Sequence, residues 1–162
     1  MGTPLHWIRE IEPHRLALAA RPRGNDWLGD EIAAWQRAGV RTVVSLLEAH
    51  EVRDLELEKE AEFCAEHGVD FVSFPIQDRG VPASVEMVRP LLEEMMLRLR
   101  REEAVVVHCR MGIGRTGLIA GCVLHWLGVR REEIFDVLSR ARGLGMPDTE
   151  EQAEWVDAFC RG

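Results

Sequence analysis

Three times along this chain an apolar, β-rich run is followed by a stretch with helical periodicity, and that alternation limits the fold more than any other feature. Arg15–Ala20 reads as a first strand, followed by a helix on which Leu28, Ile32 and Trp35 fall at i, i+4 and i+7. Asn25 or Asp26 can cap its start and Gly39 its end. Thr42–Leu47 reads as the second strand, and Leu57, Ala61 and Cys64 mark one face of a helix that stops at Gly68. Val69–Phe74 is the third strand. A helix from about Val85 to Arg101 follows, capped by Ser84, in which Pro90 removes one backbone donor and should kink or delay the helix. Ala104–His108 reads as a buried fourth strand, after which only helices come, over 115–127, 132–141 and 150–159.

Strands alternating with helices imply an α/β fold: one central, mainly parallel sheet of four or five strands flanked by helices, with right-handed crossovers. The carboxyl ends of parallel strands share one edge, and ligands bind there. The loops beginning at Pro75 and at Cys109 should therefore open side by side, although 31 positions separate Asp78 from Cys109. The chain has 162 residues and neither an internal repeat nor a low-complexity linker, so a single domain over 1–162 is expected.

Charge narrows the partners. With 28 Asp and Glu against 20 Lys and Arg the net charge is −8, which argues against nucleic acid or an anionic membrane as a bulk electrostatic partner. The first fifteen residues carry Arg9, Glu10, Glu12 and Pro13 rather than the apolar stretch of a signal peptide. The longest nearly apolar run, 117–129, falls short of the roughly 20 residues of a membrane span. A cytoplasmic monomer is the expectation. Cys64, Cys109, Cys122 and Cys160 form no Cys-x-x-Cys pair, so reduced thiols are expected rather than a zinc site or a disulfide framework.

The chemistry lies in His108-Cys109-Arg110-Met111-Gly112-Ile113-Gly114-Arg115-Thr116-Gly117, between the Val-rich strand and an apolar helix. A thiol at a strand end, followed by a glycine-bearing turn into a helix, faces backbone N–H groups and the positive end of the helix dipole. Such a setting favours thiolate over thiol, and the same donors cradle a tetrahedral oxyanion. Arg115 adds a planar fork for two phosphate oxygens, and Gly112 and Gly114 let the backbone turn its amides inward.

Cys, five residues, Arg, preceded by His and followed by Thr-Gly, resembles the signature loop of the cysteine-dependent protein tyrosine phosphatase superfamily. The likeness extends from about residue 40 to 159 and is greatest to the small dual-specificity and kinase-associated members. It implies that Cys109 attacks phosphorus, that Arg115 binds the phosphoryl oxygens and that the Thr116 hydroxyl assists thiolate departure. Arg110, Met111, Gly112, Ile113 and Gly114 would complete the substrate-binding loop, with His108 as its hydrogen-bonding support. The loop 75–82, Pro-Ile-Gln-Asp-Arg-Gly-Val-Pro, resembles the family's general-acid loop, with Asp78 as the acid. No cofactor and no metal are implied. The implied reaction is hydrolysis of a phosphomonoester, on phosphotyrosine and also phosphoserine or phosphothreonine of a protein or peptide.

Departures from larger relatives bear on substrate. The chain contains no Tyr, so the aromatic wall of the tyrosine-specific members is missing and a shallower cleft is expected. Arg110 is basic but Ile113 is not, so the doubly basic loop of the phosphoinositide phosphatases is half matched, and a lipid or other small phosphomonoester is the alternative substrate. Gly112–Gly117 also satisfies the dinucleotide fingerprint GxGxxG, but helices follow where that reading needs a strand bearing an acidic residue.

Other residues have plainer readings. Cys64 and Cys122 sit within helical patterns as core thiols, and either would protect Cys109 from oxidation only if close in space. Gln152 has two readings: with Thr149 it fits a helix capping box, and family members carry a similar Gln that positions the hydrolytic water. Glu48, Glu51 and Arg53, in the loop after the second strand, read as a solvated charged loop, with lining of the cleft as the alternative, and His125 reads as a core or boundary histidine.

Overall fold

The computed structural model describes residues 2–162. Its sheet has five strands: β1 (His6–Trp7), β2 (Leu16–Ala20), β3 (Val40–Ser45), β4 (Asp70–Ser73) and β5 (Ala104–Cys109). Their order is β1-β2-β5-β3-β4, parallel except for β1, which runs antiparallel to β2. β5 is thus the middle strand and is buried along its whole length. Its carboxyl end lies between those of β2 and β3, with Ala20 opposite Cys109 and Ser45 opposite His108.

Helices cover both faces. On one face α1 (Leu28–Arg37) and α3 (Glu60–Glu66) place Leu28, Ile32, Trp35 and Cys64 on Ala17, Ala19, Val43 and Val106. On the other, α4 (Val85–Arg100), α5 (Gly114–Trp126), α6 (Ile134–Arg142) and α7 (Glu150–Arg161) bury their apolar stripes on Leu16, Leu18, Val44, Val105 and Val107. Successive strand side chains point to opposite faces, so Cys109 shares the second face with Val105 and Val107 while His108 is turned to the first.

The sequence-based elements recur with several differences: neither Asn25 nor Asp26 caps α1, whose N-cap is Trp27, and Leu57 lies before α3, on which Ala61 is exposed. β1 is too short to leave a pattern. β3 pairs two residues earlier than expected, because Leu46 and Leu47 continue the apolar run as buried loop residues beyond the ladder. The segment that reads as a charged loop contains α2 (Ala49–Asp54). Pro90 neither delays nor interrupts α4, which runs unbroken from Val85: it lies on the exposed side, where the Glu86 carbonyl that loses its donor can turn to water. Among the described residues no helix is long and apolar enough to cross a membrane.

Candidate active site

The loop after β5 is held from both sides. Gly112 has φ +73°, and a Cβ there would lie 2.4 Å from the Ala19 carbonyl carbon and oxygen, so only glycine lets the turn press against β2. A Cβ on Gly114 would lie 2.8 Å from Gln152 Oε1 and 2.9 Å from Asp148 Cβ. The Arg21 amide donates to the Arg110 carbonyl at 3.3 Å, and Arg142 Nη2 to the Met111 carbonyl at 2.9 Å. Around this turn opens a cleft of about 240 Å³, with Cys109 at its floor, 3% exposed. Thr116, on the first turn of α5, donates its hydroxyl to Cys109 Sγ at 3.1 Å.

Arg115 joins three loops. Its Nη1 donates to Glu51 Oε1 at 2.7 Å and to the Ile76 carbonyl at 2.9 Å; its Nη2 donates to Glu51 Oε2 at 3.0 Å and to Asp78 Oδ1 at 3.1 Å. The partners come from the segments after β3 and β4, whose ends lie on the same sheet edge as that of β5. Glu51 is as buried as the guanidinium, at 1% exposure for both side chains. Burial opposes its ionisation, but the bonds from Arg115, the Glu48 amide and Arg110 outweigh it and hold the carboxyl down to about 2. Burial likewise opposes the charge on Arg115, and Glu51, Cys109 and Asp78 more than restore it, raising its pKa. Arg110 Nε shares Glu51 Oε2 at 3.3 Å.

Asp78 belongs to the same cleft, its side chain 53% exposed, as the shared sheet edge predicts. Its loop is tied to the start of α7 by the Arg79–Asp148 ion pair at 2.9 Å and by Gln152 Nε2, which donates to the Gly80 carbonyl at 3.2 Å. Gln152 lines the cleft and also forms the capping box: its Oε1 accepts from the Thr149 amide and its own amide donates to Thr149 Oγ1, both at 3.1 Å. Arg110, Met111, Ile113 and Gly114 line the cleft, whereas Gly112 is buried against β2 and shapes the turn from beneath.

Two expectations are corrected. Glu48, Glu51 and Arg53 are not a solvated loop: Glu51 is buried on Arg115, Glu48 is half-buried, and only Arg53 is exposed. His108 does not bond the signature loop through its side chain. Its Nε2 pairs with Glu60 Oε2 at 2.7 Å on the α1–α3 face, and its Nδ1 has no partner among the described residues, because the pleat turns residue 108 away from residue 109. The sequence signal for Glu51 is only its place after β3, on the edge where Arg115 lies; that the guanidinium is buried and needs this carboxylate is visible in the fold.

The remaining thiols stand apart from Cys109. Cys64 lies across the sheet, where burial pushes its thiol up to about 12. Cys122 is eight residues along α5 from Gly114, about 12 Å down the helix axis, and burial together with its neighbour Cys160 pushes its thiol up. All four cysteines are free, and His125 is a half-buried boundary residue edge-on to Phe159. Among the described residues no group of three or more His, Cys, Asp or Glu could hold a metal ion. The dinucleotide reading fails on topology, since no strand follows α5.

The family model described as "Polymorphic toxin system, DSP-PTPase phosphatase" matches residues 18–129, from β2 to just past α5. The chain belongs to this dual-specificity phosphatase family. Among curated proteins, this DSP-PTPase chain is 29% identical over 96 residues to the Sus scrofa cyclin-dependent kinase inhibitor 3, covering 58% of this chain and 45% of that protein. It is 31% identical over 87 residues to the Homo sapiens protein of that name, covering 52% and 41%. The chain thus spans less than half the length of these relatives. Among solved structures, kinase associated phosphatase superposes with TM-score 0.89 at 20% identity, covering 98% of this chain and 94% of that one. The active form of Tk-PTP superposes with TM-score 0.79 at 25% identity, covering 97% and 96%. The DSP-PTPase fold therefore extends through α6 and α7, beyond the segment the family model covers.

Proposed function

We propose that this chain is a metal-independent phosphomonoester hydrolase that dephosphorylates phosphoprotein, on tyrosine and also on serine or threonine, through a cysteinyl-phosphate. One arrangement carries the reading: Cys109 Sγ at the floor of the cleft accepts from Thr116, while Arg115 beside it is gripped by Glu51 and Asp78. The incoming dianion takes Arg115 Nη2 in place of Asp78 and accepts from the amides of the phosphate-binding loop. Cys109 attacks phosphorus, the ester P–O bond breaks, and Asp78, protonated, gives its proton to the departing oxygen. Asp78 then accepts a proton from water as it attacks the phosphocysteine. The S–P bond breaks, Thr116 donates to the leaving thiolate, and phosphate is released.

The half-exposed Asp78 at the cleft and the absence of tyrosine support the broad residue specificity. A net charge of −8 weighs against phosphoinositides in an anionic membrane. We assign the enzyme to the cytoplasm as a monomer, where a reducing environment keeps Cys109 reduced. The test is Cys109→Ser against an aryl phosphate. Hydrolysis should vanish while a phosphate mimic still binds, and acid-quenched wild-type enzyme should carry a phosphocysteine. Full activity in the variant would overturn the mechanism, and strong inhibition by chelators would replace it with a metal-dependent one.

A further inference from the structure

The residue that closes α6 reaches across to the signature loop. Arg142 is the last residue of that helix, and Gly143 after it turns the chain away at φ +80°. Arg142 Nη2 donates to the Met111 carbonyl at 2.9 Å and Nη1 to His6 Nε2 at 3.3 Å, while Nε is buried without a partner among the described residues. A cation in the last turn of a helix ordinarily needs no account beyond the helix dipole. This one turns both amino groups away from its own helix, one to the signature loop and the other to the edge strand β1.

The Met111–Gly112 peptide is trans, so its C=O and N–H point in opposite directions. A carbonyl drawn towards Arg142 therefore leaves the Gly112 N–H facing the inside of the turn, where Cys109 and Arg115 stand. That amide has no acceptor among the described residues, as a donor kept for an anion requires. Glycine holds a peptide plane only weakly, so the orientation depends on what grips the carbonyl.

His6 in turn sets the position of Arg142. β1 is only two residues long, and the antiparallel pairing of His6 with Leu18 brings the imidazole beside the end of α6. A neutral ring with its proton on Nδ1 accepts at Nε2, whereas a charged ring has no lone pair to offer and repels the guanidinium. Burial and the charge of Arg142 hold the imidazole below its ordinary pKa, so the accepting form prevails at neutral pH. Beyond Arg142, the charged groups facing His6 are Arg9 and Glu10, just after β1, and Arg140 of α6, around a cavity of about 530 Å³. Arg140 holds Glu10 at 3.0 Å, so no free carboxylate stands there to favour an imidazolium.

We propose that His6 and Arg142 are positioning residues of the active site: neutral His6 fixes Arg142, and Arg142, through the Met111 carbonyl, keeps the Gly112 N–H aimed at the phosphoryl group. This rests on the phosphatase reading above and extends its machinery to two residues outside the signature loop. Protonation of His6 replaces an acceptor by a like charge and releases the guanidinium, so the loop loses an aligned donor as pH falls below the imidazole range.

The test reads kcat/KM for para-nitrophenyl phosphate from about pH 5 to about pH 8, a span that brackets imidazole titration. Urea denaturation establishes that each variant is folded under assay conditions. Arg142→Ala should lose on the order of tenfold, less than the full loss of an oxyanion donor, and Arg142→Lys should regain part of it. His6→Ala should lose several-fold at neutral pH, and His6→Gln, whose amide oxygen accepts in place of Nε2, should recover most of that. Wild type should show an acid-side loss that His6→Gln lacks, a difference that packing alone does not produce. If Arg142→Ala fails to fold, Arg142→Lys and the His6→Gln profile decide the matter. Unchanged aryl phosphate turnover in the Arg142 variants overturns the proposal, as does an acid limb identical in wild type and His6→Gln. A loss confined to KM for phosphopeptides also overturns it, making Arg142 a contact of the peptide. If wild type hydrolyses no aryl phosphate at any pH, the phosphatase reading itself has failed.

Discussion

Glu51 gives both carboxylate oxygens to Arg115, Oε1 to Nη1 at 2.7 Å and Oε2 to Nη2 at 3.0 Å, and neither side chain is exposed to more than 1%. The pair fixes the plane of the guanidinium before any phosphate arrives, so the fork does not have to be ordered when substrate binds. Removing one partner of a buried pair leaves the other charge uncompensated, which costs more than the pair contributes.

Glu51→Gln tests this through pH. The folded-state pKa of Glu51 is depressed from 4.5 to about 2, so its contribution to stability is fully present above about 4.5 and is lost as pH falls towards about 2. The shift corresponds to roughly 3 kcal/mol. Urea denaturation should show wild type more stable than Glu51→Gln by that order at about pH 7, with the gap closing as pH falls through this window. A gap independent of pH would show that Glu51 acts only through packing.

Asp78→Asn separates the acid from the other loop residues. A group that protonates the departing oxygen matters most when that oxygen is strongly basic, so the loss in kcat/KM should be large for alkyl phosphates and small for para-nitrophenyl phosphate. The contribution of such a group is typically on the order of a hundredfold or more. An equal loss across a series of leaving groups would assign Asp78 to the support of Arg115, to which it already bonds at 3.1 Å.

Gly112→Ala tests the turn. The new Cβ would stand 2.4 Å from the Ala19 carbonyl group at a φ of +73°, and both contacts are with backbone that cannot swing away. The variant should be destabilised by roughly 2 kcal/mol or more and lose most aryl phosphate turnover. Gly68 is the control: it also has positive φ, +69°, but its Cβ would meet nothing within 4 Å, so Gly68→Ala should cost only the backbone strain and leave activity intact.

These residues also show which parts of the molecule the sequence discloses. Cys109, Arg115 and Thr116 are legible because one short loop must carry all three, and Asp78 because parallel strands share an edge. Glu51 is not, since a carboxylate in a charged run looks the same whether it faces water or a guanidinium. Its burial arises only when the ends of β3, β4 and β5 converge. His108 is misread for a local reason: adjacency in sequence puts it beside Cys109, but the pleat sends the two side chains to opposite faces of the sheet.

Gln152 offers the last test, because its two ends do different work. Oε1 accepts from the Thr149 amide in the capping box, and Nε2 donates to the Gly80 carbonyl of the general-acid loop. Gln152→Ala loses both bonds and should cost about 1 kcal/mol in stability as well as turnover. Gln152→Glu keeps an oxygen for the cap but sets a carboxylate against the Gly80 carbonyl. The buried carboxylate costs some stability too, so kcat is read under conditions where urea denaturation shows the variant fully folded, and there it should fall several-fold with KM little changed. If both variants lose stability and kcat in proportion, the residue is a cap alone. If fully folded Gln152→Glu loses kcat beyond what its loss of stability explains, Gln152 is a positioning residue that holds the Asp78 loop over the cleft.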